Sequence, residues 1–239
     1  MFTENMVLSD YWRNEKGDRT KMEFIGFFLF SILEYVAIFS LMFSLYRLQS
    51  RFYWIEQLII SAILSFISYS LRELFHTEVF TPVVLIALMS ILLWIVLRIP
   101  FFYIALMTVP TYIVYALIQY GVMEVLDHFQ IIMYSQAFEN NGANWYGQVI
   151  QGVTAAVTFI ISWVISKFGI GFSFIPSGYV KIKLTGLNLI IAIALTVGFL
   201  AFIFFNYWIK SRAQFAALSS LYIIVLGVLI YLSRKKDYE

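Results

Sequence analysis

The chain has no cysteine, two histidines and four prolines, and only 13% of its 239 residues are charged. Without cysteine there is no disulfide framework, no thiolate metal site and no thiol redox chemistry. His76 and His128 are too few for an imidazole metal triad. A net charge of +2 without a basic block excludes a nucleic-acid surface. Soluble domains carry about 25% charged residues, so this chain has too little polar surface to cover itself in water. In their place stand 62% hydrophobic and 19% aromatic residues, with a mean hydropathy of +0.84. A soluble globular domain is excluded.

Catalytic signatures are missing as well. The chain has no G-x-x-x-x-G-K-[ST], no G-x-S-x-G and no H-E-x-x-H. Gly169-Ile170-Gly171 lacks a third glycine and a strand-to-helix context. No Ser–His or paired Asp arrangement falls within an apolar run, which argues against an intramembrane protease. His76 with Glu73 and Glu78, and His128 with Asp127 and Glu124, read as solvated surface groups rather than cation sites. The expectation is a non-enzyme without cofactor or metal.

What is present are seven apolar segments, at about 24–46, 55–75, 81–97, 100–126, 145–166, 187–209 and 213–232. Roughly 20 apolar residues let a helix cross a bilayer, with a working range of about 17–25. The runs are continuously apolar rather than alternating with a period of two, so helices are expected and a β-barrel is not. The fold expected is therefore an all-α, polytopic transmembrane bundle of about seven spans. Two boundaries are short. Proline suits a helix start and disfavours helix before it, so Leu97-Arg98-Ile99-Pro100 reads as a tight turn. Lys210-Ser211-Arg212 is the other, and reading either through as helix lowers the count to six or five.

Charge sets the orientation. With seven spans, Arg47, Arg51, Arg98, Lys167, Lys181, Lys183, Arg234, Lys235 and Lys236 fall on one side. Lys210, Arg212, Arg13, Lys16, Arg19 and Lys21 fall on the other. The positive-inside rule makes the richer side cytoplasmic, with the N-terminus out and the C-terminus in. The chain then divides into a polar extension (1–21), one transmembrane domain (22–233) and a short basic tail (234–239). Two readings stand for the extension: a disordered external tail, or leader read through ahead of a start at Met22. Lys16-Gly17-Asp18 is compatible with a purine-rich ribosome-binding site, and the nucleotide sequence decides. The first apolar run is too long for a signal-peptide core and lacks a small-x-small cleavage pattern, so it is retained as a span. The expected location is a bacterial plasma membrane, crossed several times.

Two connections carry some content. The outer loop 127–144 lacks Lys and Arg and holds the turn signal Asn140-Asn141-Gly142. The inner loop 167–186 is rich in glycine and aromatics, and is expected to sit at headgroup level with its lysines toward lipid phosphates.

Ionisable groups at bilayer depth are costly and face the bundle interior. Glu34 lies about ten residues into the first span, roughly 15 Å deep. Ser61, Ser65, Ser68 and Arg72 draw one stripe along the second span, suited to a close hydrogen-bonded helix contact. Arg72 either pairs with Glu34 or snorkels outward past a protonated carboxyl. Thr108, Thr111, Tyr115 and Gln119 follow a face of the fourth span, with Pro110 as a kink. The fifth opens with Gln148, Gln151 and Thr154, and the sixth adds Asn206. Arg72, Tyr115, Gln119, Glu124, Gln148, Gln151 and Asn206 all fall in the outer half, above largely Phe, Leu, Ile and Val. An outward-facing polar vestibule is expected, with Glu34, Ser65, Ser68, Arg72, Tyr115, Gln119, Gln148 and Gln151 as its candidate ligand-binding residues. Helix-to-helix glue is the competing reading for each Ser, Thr or Gln taken singly.

Ile99-Pro100-Phe101-Phe102-Tyr103, the stretch from Tyr112 to Gln119 and the serine-rich Ser61–Arg72 segment resemble the membrane-embedded sensor region of Gram-positive peptide-pheromone receptor histidine kinases. The resemblance covers about 22–233 and implies a multi-spanning sensor. After Lys236 only Asp237-Tyr238-Glu239 follow, so the expectation is a stand-alone sensor-like protein, or a fragment, without the family's dimerisation helix, phosphoacceptor histidine and ATP-binding domain. The expectation is a sensor-like or accessory protein that binds a small ligand, peptide or partner in its outer half. It would signal through its C-terminal helix to a membrane or cytoplasmic protein, with a homo-oligomer compatible. A small transporter or permease subunit with Glu34 as coupling carboxylate, and a structural subunit of a membrane complex, are the alternatives.

Overall fold

A computed structural model describes residues 2–49, 52–73, 81–133, 145–173, 175, 186–208, 220, 223–228, 230–232 and 234–235, with no strand among them. The helices are α1 (Phe2–Leu45), α2 (Trp54–Glu73), α3 (Thr81–Leu97), α4 (Phe101–His128), α5 (Trp145–Phe168) and α6 (Leu187–Trp208). A shorter apolar helix, α7, covers Ile223–Leu232. Four helical stretches are long and apolar enough to cross a membrane: Phe24–Leu45, Trp54–Arg72, Phe101–His128 and Trp145–Phe168. The burial pattern agrees, because it is inverted relative to a soluble protein. Leu29, Phe66, Ile95 and Ile160 are each more than half exposed, whereas Ser61, Ser65, Thr154 and Thr158 are fully buried.

The first finding that departs from the sequence reading is at the N-terminus. Residues 2–21 continue α1 rather than forming a disordered tail. The segment has no proline, and once an apolar span is helical, propagation adds one hydrogen bond for each residue fixed. The α3–α4 turn is as tight as expected. Arg98 takes a left-handed φ of +53° and Pro100 stands immediately before the first residue of α4. The Lys210–Arg212 turn lies outside the described residues.

Three contacts order the bundle around α1. α2 runs antiparallel to it, with the Ser65 hydroxyl donating to the Phe28 carbonyl at 3.0 Å and Phe43 meeting Tyr53 at 6.2 Å. α5 runs parallel to it in constant register. Gly26 faces Gln148, Phe30 faces Gly152 and Arg47 reaches the Gly169 carbonyl, each pair 122 residues apart. Glycine at 26 and 152 is what admits this approach. A Cβ at Gly152 would stand 2.9 Å from the Phe30 ring, and small residues at such crossings let membrane helices close on each other.

α4 supplies the third contact, through a defect in its own backbone. Pro110 lies inside the helix and has no N–H to offer the Leu106 carbonyl one turn back. The Tyr46 hydroxyl donates to that carbonyl at 2.6 Å instead. Tyr46→Phe is expected to orphan the Leu106 carbonyl and cost about 1–3 kcal/mol. The measurement is the unfolding midpoint in mild detergent, and an unchanged midpoint would refute this role.

Beneath the Glu34 level the interior is apolar: Ile38, Phe39, Met42, Phe43, Met89, Leu93, Ile104 and Met107 form one cluster. The start of the 167–186 loop joins it, contrary to a loop seated wholly in lipid. Phe172 donates its N–H to the Leu45 carbonyl at 2.8 Å and places its ring 5.8 Å from Tyr46. An aromatic ring gains more by covering the α1 terminus and its carbonyl than by lying at the headgroups. Lys181 and Lys183 lie outside the described residues. α6 and α7 pack on the opposite flank, where Ile191, Leu195 and Leu232 meet Ile86, Leu106 and Ile113.

Candidate functional site

Glu34 projects from the middle of the apolar part of α1, between α2, α4 and α5. It is partly buried, as is Arg72, while Tyr35, Ser61, Ser65, Ser68, Tyr115, Gln148, Gln151 and Thr154 are buried. Arg72 acts on the Glu34 carboxylate through space. Its guanidinium sits over the Phe27 ring at 5.7 Å, seven residues from Glu34 along α1, or about 10 Å of rise. The pairing anticipated from sequence is thus a long-range one, because Arg72 emerges nearer the end of α2 than a direct bridge requires. The cation is held by the face of an aromatic ring, a stabilising arrangement in a dry setting.

Tyr115 on α4 points its phenol toward the Glu34 carboxyl, within donating reach. The contact stops short of a formed bond, since Tyr115 Oη has no hydrogen-bond partner by distance and angle together. Ser68 meets the Tyr35 hydroxyl, and Tyr112 adds a third phenol near the carboxylate. Gln148 packs its amide on Gly26. Gln119 is half-buried on α4, four residues beyond Tyr115. Asn206 belongs to α6, and His76 lies outside the described residues.

Orphaned polar atoms define the site more sharply than any of these contacts. Ser61 Oγ, Tyr115 Oη, Gln151 Oε1 and Thr154 Oγ1 are buried and unpartnered. The constant register of α1 and α5 sets Gln151 opposite Leu29 and Thr154 opposite Ile32. Ser61 lies one turn deeper than Ser65, near the Glu34 level, and Tyr115 faces Glu34 itself. All four therefore fall within about 8 Å of Glu34 along the bundle axis.

Other hydroxyls, Thr111 and Thr158 at similar depth among them, behave differently. Ser70, Ser90, Thr108, Thr111, Thr158, Ser162 and Thr196 each donate to the carbonyl four residues earlier, at 2.7–2.9 Å. Thr108 and Thr111 lie between Leu106 and Tyr115, and Thr158 and Ser162 between Gly152 and Gly169, so these four belong to the Tyr46 side of the Glu34 level. Self-satisfied hydroxyls are quiet helix components. A buried polar atom without a partner costs about 1–3 kcal/mol, and four of them around one carboxylate call for an explanation. Chemically the set offers a carboxyl, three hydroxyls and an amide oxygen to water or to a hydrogen-bonding ligand.

Sequence reasoning did not list Tyr35, Ser61 or Thr154 among the site residues. Ser61 and Thr154 were on the recognised stripes, whereas Tyr35 sat in an apolar run and looked like ordinary aromatic filling.

No protein family, curated protein or solved structure matches this chain. Among the described residues the fold is helical throughout, with four helices long and apolar enough to cross a membrane, as in a membrane protein.

Proposed function

We propose that this chain is a seven-span plasma-membrane protein of a bacterium, N-terminus out and C-terminus in. It binds a small hydrogen-bonding ligand or peptide terminus in a vestibule around Glu34 and couples that event to a partner protein. The observation that carries the reading is the set of four unpartnered polar atoms gathered at the Glu34 level. An apolar plug from Ile38 to Phe43 and from Ile104 to Met107 closes the interior below them. Polar above and greasy below suits a receptor pocket reached from one side. Seven spans alternate in direction, and the antiparallel α1–α2 and parallel α1–α5 packing fits that alternation.

A second reading has one observation in its favour. A carboxylate at mid-depth among phenols is also what an ion- or proton-coupled transporter needs, and Glu34 would then be the coupling group. A transporter must open the plug during turnover, and a sensor need not.

The chain has no cysteine, so single cysteines test both readings without background. Gln151→Cys is expected to react with a membrane-impermeant thiol reagent added outside the cell. Met42→Cys and Met107→Cys are expected to stay unreactive from either side. Reaction of Gln151→Cys only from the cytosol would overturn the orientation. Energised labelling of Met107→Cys would transfer the argument to transport.

A further inference from the structure

A cavity of about 570 Å³ lies at the opposite end of the bundle from the vestibule, between the α1–α2 turn and the end of α5. We propose that it holds an anionic phospholipid, its phosphate at Arg47 and the start of its acyl chain along Phe43, Phe52 and Ile165.

Its volume falls in the range of about 300–1,000 Å³ typical of small-molecule pockets. The walls are two-faced. Phe43, Phe52, Ile165 and Ile170 give the apolar side, with Arg47 and Ser166 on the polar side and no acidic side chain among the lining residues. The position is equally particular. The apolar parts of α1 and α5 end at Leu45 and Phe168, and α2 begins at Trp54, so the mouth opens where acyl chains meet headgroups. Phe52, Trp54, Trp163 and Phe168 are each more than half exposed around it, an aromatic belt of the kind that marks this boundary.

Among the described residues, Arg47 is held for the task by backbone rather than by a counter-charge. It has a left-handed φ of +50° and donates one guanidinium N–H to the Gly169 carbonyl at 2.5 Å. Gly169 is itself left-handed, at +61°. A guanidinium has five N–H donors, so one bond to a neutral carbonyl leaves the charge and the remaining donors for a phosphate. Lys167, held 4.8 Å from the Trp163 ring, brings a second cation to the same end. Basic pockets between helix ends at the headgroup level are the recognised chemistry for anionic lipids.

The test uses the full chain in detergent, stripped of lipid and titrated with phosphatidylglycerol or phosphatidylcholine, with bound lipid counted by native mass spectrometry. Phosphatidylglycerol is expected to bind roughly fivefold tighter or better, the worth of one cation beside an anionic headgroup. Arg47→Asn removes the charge with a residue that tolerates left-handed backbone, and is expected to erase that preference. Ser166→Phe is expected to fill the cavity and displace the lipid with Arg47 intact, which keeps the test decisive if the Asn variant misfolds. Equal binding of both lipids, a preference that survives Arg47→Asn, or lipid retained in Ser166→Phe would each overturn the proposal. Glycerol phosphate competing as well as the whole lipid would assign the site to a free phosphate ester instead.

Discussion

Gly171→Ala is expected to lower stability by about 3 kcal/mol, a loss reserved for substitutions that break a defined structural device. The Cβ would collide with the Leu45 carbonyl oxygen, and with the Leu45 carbon at 3.1 Å behind it. Both are backbone atoms, so no rotamer change relieves the contact. The same carbonyl accepts the Phe172 N–H at 2.8 Å, so moving the loop away breaks that bond and withdraws Phe172 from Tyr46. Tyr46 in turn satisfies the Leu106 carbonyl left open by Pro110. One methyl group therefore acts on the junction of α1, α4 and α5 together. Gly169→Ala is the control from the same loop. Its φ is +61° and its Cβ would meet nothing, so it is expected to cost only the left-handed penalty of about 1–2 kcal/mol. Equal unfolding midpoints for the two variants would refute the argument.

Much of this architecture was legible in the amino-acid order, and the reason is solvent. A span must be apolar along its whole length to enter lipid, so the limits of α3 and the start of α4 after Pro100 follow from hydropathy and proline chemistry. Which helices touch is a different matter. Lipid is as apolar as leucine, so hydropathy carries no pairing information, and contact is decided by small residues and shape. The parallel α1–α5 packing rests on Gly26 and Gly152, two isolated glycines with no obvious pattern between them. Glu34 stood out because charge at depth is rare. Tyr35 did not, because a phenol is polar only at its tip. Arg72 was assigned to the correct face of α2, yet its distance from Glu34 depended on a helix stagger that no spacing rule supplies. The disordered-tail reading of 2–21 fails because a helix already nucleated by a span needs no pattern to continue.

Glu34→Gln is expected to change the charge preference of the vestibule by a large factor, and the cysteine at position 151 can report it. Position 151 lies about 8 Å from Glu34 along the axis. At an effective dielectric of 20, a unit charge no closer than that axial offset acts on a singly charged reagent with at most about 2 kcal/mol. Cationic and anionic thiol reagents feel it with opposite sign, so neutralising Glu34 shifts their rate ratio by roughly a thousandfold in this limit, and still about fivefold in bulk-water dielectric. Arg72→Gln is expected to move the ratio the other way, since its guanidinium at the Phe27 ring acts through space on the same carboxyl. The double variant is expected to return close to the parent. An unchanged ratio in Glu34→Gln would mean that the carboxyl is protonated in the membrane, leaving no fixed anion for a ligand to meet. Tyr115→Phe separates stability from binding in the same background. Removing a buried hydroxyl that has no partner is expected to leave stability unchanged or raise it. It is also expected to lower the protection of the 151 cysteine by any ligand that fills the site. A structural hydroxyl would move both quantities downward together, and that outcome would return Tyr115 to ordinary helix packing.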